Sequence, residues 1–276
     1  MTASAKNKNF HDETARKYGN PPYNVAVIHG GPGAPGYMAP VARELSVAAG
    51  VIEPIQTEDS LTGQIEELEK QLINNTDPPV ILIGSSWGAV LALLVAARKE
   101  IDIEKLILIG SAVFDAESSA RIEGIRMSRL DDNKRRQLDK IRMELDNPDS
   151  RDKAKIAKDW GDIFFHTDVY DPIITDLEVI EVQYDINVKV WGDFVILRDT
   201  PGFLKEEFSK IDKPVMVIHG DYDPHPIEGI RPFLEDCLKD VRFHILSRCG
   251  HYPWIERHAR QSFFDILKKE IAGPEY

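Results

Sequence analysis

The sequence predicts an α/β protein with a mostly parallel β-sheet, helices on both faces of the sheet and a helical cap. Short apolar runs rich in valine, isoleucine and leucine alternate with stretches of helical spacing, which is typical of a sheet buried on both faces. The chain of 276 residues is long enough to bury a large core in a single unit. The alternation is interrupted once, over roughly 95 residues, which is too long for a plain connection between two strands.

The individual strands and helices follow from these runs in chain order. A buried strand is expected at residues 24–29, a weaker one at 51–57, and further strands at 80–84, 106–110, 215–219 and 242–246. Helices are expected at residues 37–48, 60–74, 89–98 and 254–271. The second of these helices is amphipathic, and its predicted buried side consists of Leu61, Ile65, Leu68, Leu72 and Ile73.

The interruption covers residues 114–209, a charge-rich segment with helical spacing at 120–145 and 151–165. We interpret it as a cap over the C-terminal edge of the sheet, where α/β proteins bind their ligands. The predicted domains are therefore a core of residues 1–113 and 210–276 and a cap of residues 114–209. Aromatic residues are concentrated in the cap, and a few of them are expected to line an apolar pocket: Trp160, Phe164, Phe165, Tyr170, Tyr184, Trp191 and Phe194.

Composition argues against several classes of function. The net charge of −12 does not suit a general nucleic-acid or anionic-membrane binder, since both need surplus positive charge. The longest fully apolar run, residues 89–97, is too short to cross a bilayer, which takes roughly 20 residues. The first ten residues contain no apolar segment like that of a secretory signal, so a cytoplasmic protein is expected. Cys237 and Cys249 are expected to be reduced thiols.

A G-x-S-x-G motif follows the strand at residues 80–84 and precedes an apolar helix. It is formed by Gly84, Ser85, Ser86, Trp87 and Gly88, in the strand–turn–helix context that this motif requires. Such a turn is so tight that its central residue is strained, and flanking glycines avoid collisions. The turn lifts the hydroxyl of Ser86 clear of the sheet at a helix N-terminus, which favours developing negative charge. We predict that Ser86 is a nucleophile, whereas Ser85 is off-centre; the alternative is a glycine-rich turn with an incidental serine.

A serine nucleophile needs a base, and the base needs a group that orients it. The strand at residues 215–219 is followed by two acids, Asp221 and Asp223, so a carboxylate can reach across the top of the sheet. Asp223 is favoured over Asp221 because it has cleared the strand and lies in the loop. The alternative for both is turn formation, since Asp before Pro commonly starts a turn.

His251 is the predicted base. It is preceded by Gly250 in the loop between the strand at 242–246 and the last helix, so it can swing toward Ser86. His29 and His219 stand at strand ends and are expected to be structural, and His225 is expected to have no role. The remaining histidines belong to no motif: His11, His166, His244 and His258. Because no histidines fall at spacings such as H-E-x-x-H, no metal is expected.

The glycine-rich loop at residues 29–33 follows the first predicted strand. The N–H groups of Gly30 and Gly31, with the amide of Trp87, are predicted to form an oxyanion hole. A P-loop is excluded because no Gly-Lys-Ser/Thr follows. Residues 31–36 match G-x-G-x-x-G, the dinucleotide-binding pattern, but their prolines cannot donate hydrogen bonds. No cofactor is therefore expected.

Taken together, HGGPG, the GSSWG turn, GDYD and the late Gly250-His251 pair resemble the α/β-hydrolase superfamily. The combination of HGGPG with SWG resembles its proline iminopeptidase branch. The resemblance covers residues 24–113 and 212–275. It implies an α/β-hydrolase fold and a triad of Ser86, Asp223 and His251. It also implies an oxyanion hole at the amides near Gly30, Gly31 and Trp87.

The sequence departs from that family in three places. The first 23 residues are polar and not strand-like, although members usually begin with two additional strands, so a shortened sheet is expected. Ser85 stands where the aminopeptidases often have glycine. Those peptidases hold the substrate's free amine with cap glutamates, and the candidates here are chosen by position only; solvated helix charges are the alternative. These candidates are Glu178, Glu181, Asp185 and Asp193.

The expected function is that of a metal-independent serine hydrolase acting through an acyl-enzyme. Its substrate is expected to be a small molecule or short peptide, carrying either an N-terminal proline-type amide or a small ester. Cofactor-free C–C bond or perhydrolase chemistry with the same triad remains an alternative, since substrate choice lies in the cap. A non-catalytic binding protein of this fold is a further alternative.

Overall fold

The computed structural model describes residues 14–147, 149–175 and 177–272. The first ten residues, expected to carry no secretory signal, and His11 lie outside this part of the chain. Within it, seven strands form one sheet in the order β1-β3-β2-β4-β5-β6-β7. The strands are β1 (Ala15–Tyr18), β2 (Tyr23–Ile28), β3 (Gly50–Pro54), β4 (Val80–Ser85), β5 (Ile103–Ile109), β6 (Val215–Gly220) and β7 (Val241–Leu246). All neighbouring pairs are parallel except β1 with β3, so the predicted fold class is confirmed.

Strand β1 corrects the expectation that no strand precedes residue 24. It forms the edge of the sheet and pairs antiparallel with β3, so that Ala15 lies opposite Pro54. The carboxylate of Glu53, fully buried on β3, accepts a hydrogen bond from Tyr18 Oη at 2.7 Å and lies 2.9 Å from Arg16. The polar residues of β1 are therefore matched by a buried acid elsewhere in the chain, which hydrophobic patterning does not detect.

Helices cover both faces of the sheet. On one face lie α1 (Ala39–Leu45) and α10 (Arg260–Ala272), and on the other lie α2 (Leu61–Asn75), α3 (Trp87–Arg98) and α9 (Arg231–Cys237). Alternate strand residues supply the two cores: Ile81 and Ile83 pack on the α1 and α10 side, and Leu82 on the other. Both faces are apolar, which is why the strands appear as continuous rather than alternating apolar runs.

The segment between β5 and β6 contains five helices within the described residues. They are α4 (Ala116–Ser128), α5 (Asp132–Asp146), α6 (Lys153–Asp168), α7 (Tyr184–Asp199) and α8 (Phe203–Phe208). Its first part has a small apolar cluster of its own, built around Leu138 and Phe164. Its last part packs into the main core through Phe194 and Phe208. The inserted segment is thus joined to the sheet by α7 and α8.

Three helix predictions need correction. Ile73 is 64% exposed, whereas the other four predicted residues of the α2 face are buried, because each residue turns the helix by about 100° and carries Ile73 off that face. The single helix expected at 120–145 is two helices, and Asp131 caps the second by accepting a hydrogen bond from the Lys134 N–H at 2.8 Å. The last helix begins at Arg260, after a 3-10 turn at Pro253–Ile255.

No helix in the described part of the chain is both long and apolar enough to span a bilayer.

His29 links the glycine-rich loop to β3. Its Nδ1 lies 2.9 Å from the Gly30 carbonyl oxygen, and its Nε2 accepts a hydrogen bond from the Gln56 N–H at 3.3 Å. The ring is fully buried, and burial lowers its pKa to about 4. His29 is therefore a neutral structural residue, as its position at a strand end suggested.

Because the folded protein resists protonation of His29, stability should fall as the pH drops below the ordinary histidine pKa. Between about pH 6.5 and pH 4 the unfolded chain binds the additional proton, so acid favours unfolding. Substituting His29→Asn keeps a donor toward Gly30 but removes the titrating group. We expect the stability advantage of the wild type over this variant, measured by urea unfolding, to shrink by roughly 2 kcal/mol between pH 7 and pH 5. An advantage independent of pH would contradict a neutral buried ring.

Candidate active site

Ser86 occupies the turn between β4 and α3, in a backbone conformation that side chains rarely adopt. Its φ is 55° and its ψ is −116°. The flanking positions accept only glycine: a Cβ at Gly84 would overlap the Gly88 carbonyl, and a Cβ at Gly88 would overlap the Ile28 carbonyl. The Ser86 N–H donates to the Ile109 carbonyl oxygen at 2.8 Å. The sequence thus builds a turn held by β2, β4 and β5 that lifts one serine.

The two serines of this turn have different surroundings. Ser85 is fully buried, and its Oγ has no hydrogen-bond partner. Ser86 lines a cavity of about 840 Å³ that also includes His251 and Gly31. Only Ser86 is therefore placed to meet a ligand.

Asp223 and His251 meet at the carboxyl end of the sheet, after β6 and β7 respectively. Nδ1 of His251 lies 2.7 Å from Oδ2 of Asp223, and both side chains are buried. Gly110, just after β5, makes room for them: its φ is +49°, and a Cβ there would lie 3.0 Å from His251 Nδ1. Asp221 instead accepts a hydrogen bond from the Cys249 N–H at 3.2 Å and stabilises the loops.

Electrostatics keep this pair in the form suited to a base. Although burial opposes ionisation, the neighbouring histidines, His251 first, hold the pKa of Asp223 well below its usual value. Burial also opposes charge on His251, but the Asp223 carboxylate outweighs it and raises the pKa of the imidazole. An ionised carboxylate only accepts hydrogen bonds, so His251 carries its proton on Nδ1 and has a lone pair at Nε2. Among the described residues, Ser86 Oγ has no hydrogen bond to this ring.

The backbone around His251 is fixed by two acids that the sequence analysis missed. The Asp168 carbonyl, at the end of α6, accepts a hydrogen bond from the His251 N–H at 2.7 Å. The fully buried carboxylate of Glu256 accepts from the N–H groups of Gly250 at 2.8 Å, Tyr170 at 2.6 Å and Asp171 at 2.8 Å. Neither acid belongs to a recognisable motif, because the contacts of Asp168 with His251 and of Glu256 with Tyr170 and Asp171 join segments more than 80 residues apart.

His225, for which no role is expected from the sequence, also contacts Asp223. Its Nδ1 lies 2.7 Å from Oδ1, and His219 lies near Oδ2 at 3.9 Å. Ligand atoms of Asp223, His225 and His251 lie within 4.8 Å of one another, as in a possible metal site. However, the 2.7 Å separations are hydrogen-bond lengths, and stacked rings direct their lone pairs side by side rather than toward one ion.

The residues predicted to form an oxyanion hole lie beside the turn that carries Ser86. Gly31 lines the cavity, and Gly30 is so close that a Cβ there would lie 2.9 Å from Ser86 Cβ. Trp87 is the first residue of α3, and its side chain points into the core, where Nε1 donates to Gln64 Oε1 at 3.1 Å. Only the backbone amide of Trp87 is thus relevant to the site.

The rest of the glycine-rich loop is covered by the inserted segment. The Ile180 N–H donates to the Pro35 carbonyl and the Gln183 N–H to the Gly33 carbonyl, both at 2.9 Å. A Cβ at Gly33 would lie 2.6 Å from the Gln183 carbonyl oxygen. Gly33 therefore allows the inserted segment to pack closely against the loop. This part of the loop is covered and is not accessible to a pyrophosphate.

The four candidate acids for binding an amine have different positions. Glu178 forms an ion pair with Arg43, and Asp193 accepts a hydrogen bond from the Leu61 N–H at 3.0 Å. Asp185 is exposed in the first turn of α7. Among these four, Glu181 alone lines the cavity.

The cavity walls are mainly apolar and aromatic, and they come from the inserted segment and the loops above the sheet. They include Tyr37, Ile122, Phe164, Phe165, Trp191 and Tyr252. Three basic side chains also contribute, and each has an acidic partner: Arg126 with Asp168 at 2.5 Å, Arg142 with Glu123, and Lys158 with Asp162 at 2.7 Å. The charges near the walls are therefore largely compensated.

Comparison with known proteins gives one family. The model of the alpha/beta hydrolase family matches residues 26–262. A pimeloyl-[acyl-carrier protein] methyl ester esterase of Nitrosospira multiformis is 23% identical over 199 residues, which are 70% of this chain and 69% of that protein.

Similar solved structures include VinJ, with a TM-score of 0.64, 18% identity and coverage of 92% of each chain. They also include proline iminopeptidase of Mycobacterium smegmatis, with a TM-score of 0.60, 17% identity and coverage of 94% of this chain and 93% of that one. At these identities the structures establish the fold alone. Since the family match extends over most of the sheet and the inserted segment, this chain belongs to the alpha/beta hydrolase family.

Proposed function

We propose that the protein is a serine hydrolase of small acyl compounds, with Ser86 as nucleophile, His251 as base and Asp223 as the group that orients His251. The observation that carries this proposal is the shared cavity. Ser86, raised on a strained turn, and His251, bound through Nδ1 to a buried ionised carboxylate, both open to it. A binding protein would also need a cavity, but it would not need Ser86, His251 and Asp223 arranged in this way beside it.

In the proposed mechanism, Nε2 of His251 takes the proton of Ser86 as its Oγ attacks the substrate carbonyl. The N–H groups of Gly30, Gly31 and Trp87 stabilise the oxyanion, and the N-terminus of α3 adds its dipole. His251 then gives its proton to the leaving group, and water cleaves the acyl-enzyme by the same steps. Because such hydrogen bonds often form only with substrate bound, we expect Ser86 and His251 to align in the substrate complex.

An ester is the substrate class that the cavity favours. Its walls are mainly apolar, and the acids near them are mostly paired with arginine or lysine, so a free ammonium group would find little uncompensated negative charge. The relative named as a methyl ester esterase is consistent with this choice. Carbon–carbon bond cleavage and perhydrolysis would use the same residues and are distinguished by assay.

Aminopeptidase activity of the proline iminopeptidase type is the second candidate. It is favoured by one observation: Glu181, an exposed residue, lines the cavity and has no ion-pair partner among the described residues. A single acid could bind the ammonium group of a short peptide.

The role of Ser86 can be tested by covalent labelling with a fluorophosphonate probe. Ser86→Ala should abolish labelling and reduce turnover by several orders of magnitude, while circular dichroism and the melting temperature remain close to those of the wild type. Ser85→Ala is the matched control and should still be labelled. Labelling of the Ser86→Ala protein, or modification mapped to Ser85, would show that the nucleophile is assigned wrongly.

The space beside Asp223 and His251 provides a second test. Gly110→Ala places a Cβ about 3 Å from both side chains, so it should displace them by a few tenths of an ångström and lower kcat by roughly tenfold. Gly124→Ala is the control, since a Cβ there meets nothing within 4 Å and alanine favours the helix. If Gly110→Ala folds and retains full activity, the Asp223–His251 contact is not needed for turnover.

Glu181 distinguishes the two substrate classes. We expect the wild type to prefer N-blocked esters, and Glu181→Gln to leave kcat/KM for these substrates within about twofold, since no neutral acyl group needs the carboxylate. Asp185→Asn, outside the cavity, is the matched control. A wild type that prefers substrates with a free amine, together with a raised KM for them in Glu181→Gln only, would replace the esterase proposal by the aminopeptidase.

A further inference from the structure

A second histidine binds the same carboxylate as His251. Nδ1 of His225 lies 2.7 Å from Oδ1 of Asp223, and the His225 backbone N–H donates to that oxygen at 2.9 Å. Nδ1 of His251 lies 2.7 Å from the other oxygen, Oδ2. The two imidazole rings stack, with centroids 4.5 Å apart and planes 27° from parallel. Each oxygen of the carboxylate thus holds one ring, and the rings pack against each other.

The carboxylate determines where the ring protons lie. Since it only accepts, Nδ1 of both histidines donates, and each neutral ring has its lone pair at Nε2. Within the described residues neither Nε2 has a hydrogen-bond partner. Neither nitrogen is completely buried, and both residues line the cavity, so both Nε2 atoms are open to it. His225 therefore has the tautomer of the proposed base and faces the same space.

The surroundings favour a proton on His251 over one on His225. Burial lowers the pKa of His225 despite the carboxylate, and a charged His251 would lower it further. The pKa of His251 is raised because the Asp223 carboxylate outweighs burial. When His251 accepts a proton during turnover, His225 can thus remain a neutral donor to Asp223.

We propose that His225 is a positioning residue: its Nδ1–H holds Asp223 with Oδ2 directed at His251, and its ring fixes the plane of the His251 imidazole. This inference rests on the proposed serine-hydrolase function and adds a fourth residue to it. It has an electrostatic consequence. A hydrogen bond to the carboxylate withdraws negative charge that would stabilise the imidazolium form of His251. His225 therefore limits the basicity of His251 as well as orienting it.

The other titratable and charged groups that face this cluster are few. His219 donates from Nε2 to the His225 carbonyl oxygen at 2.9 Å. The carboxylate of Asp168 on α6 and the guanidinium of Arg126 on α4 form an ion pair beside His251, and their effects on its pKa have opposite signs. Burial raises the pKa of Tyr252, whose ring packs edge-on against His251, so it stays neutral. Asp223 is therefore the dominant charge, and His225 its principal side-chain donor besides His251.

Two substitutions test the hydrogen-bond donor and the ring of His225 separately. His225→Phe keeps a ring against His251 but removes the side-chain donor to Oδ1, and the backbone N–H of residue 225 still donates to that oxygen. His225→Asn keeps a donor in the place of Nδ1, because both nitrogens stand three bonds beyond Cα, and removes the ring. His225→Leu serves as a second donor-free variant if the phenylalanine protein fails to fold. His244→Phe, at an exposed position on β7, is the control.

The pKa of His251 should be measured directly by NMR titration of carbon-13-labelled histidine, with its signal assigned by its loss in His251→Asn. We expect His225→Phe and His225→Leu to raise that pKa by about one unit, and His225→Asn to leave it close to that of the wild type. Since protonated His251 cannot act as a base, the acid limb of the kcat/KM profile should move to higher pH by the same amount. The His244→Phe protein should match the wild type in both measurements.

An unchanged His251 pKa in the two donor-free variants would overturn the proposal. Equal losses of activity in the asparagine and phenylalanine variants, with no shift of the acid limb, would show a packing role only. A loss in His225→Asn as large as that in His251→Asn would show that His225 is itself a base. If the wild type does not react with a fluorophosphonate, the proposed function fails, but the NMR titration still decides whether His225 acts on His251.

Discussion

The buried carboxylate of Asp223 is the group on which the arrangement at the top of the sheet depends. An ionised carboxylate away from water is costly unless hydrogen bonds and charges compensate for it. Here the backbone N–H of residue 225 and the imidazoles of His225 and His251 compensate. Gly110, just after β5, leaves room for this pair, since a Cβ there would press on both side chains. Gly220, at the end of β6, allows the loop that carries His251 to approach, since a Cβ there would overlap the Cys249 carbonyl.

The inserted segment is part of the same arrangement rather than an independent cover. Its helix α6 ends at Asp168, whose carbonyl binds the His251 N–H and whose carboxylate binds Arg126 in the cavity wall. Glu256 binds backbone groups on both sides of this junction. The contacts that close the cavity therefore also fix the backbone of the proposed base, so a change in the inserted segment can alter both the cavity and the position of His251.

The basic side chains at the cavity are paired with acids because both belong to the helices of the inserted segment. Arginine and lysine side chains of α4, α5 and α6 reach the walls, but each is held by an acid of the inserted segment. Such pairs fix helices relative to one another and leave aromatic and aliphatic surface for the substrate. This is why counting acids in the sequence overestimates the negative charge available to a bound amine.

The sequence by itself determined the alternation of strands and helices, the turn around Ser86 and the order of the three proposed catalytic residues. These features depend on local properties: apolar runs that fill both faces of a sheet, and glycines flanking a turn too tight for side chains. Only the tertiary structure decided that β1 forms against buried Glu53, that Glu181 alone of four acids reaches the cavity, and that His225 shares Asp223 with His251. Each of these depends on which distant segments pack together, because a polar residue's role is set by the partner that burial assigns to it, and no periodicity along the chain records that partner.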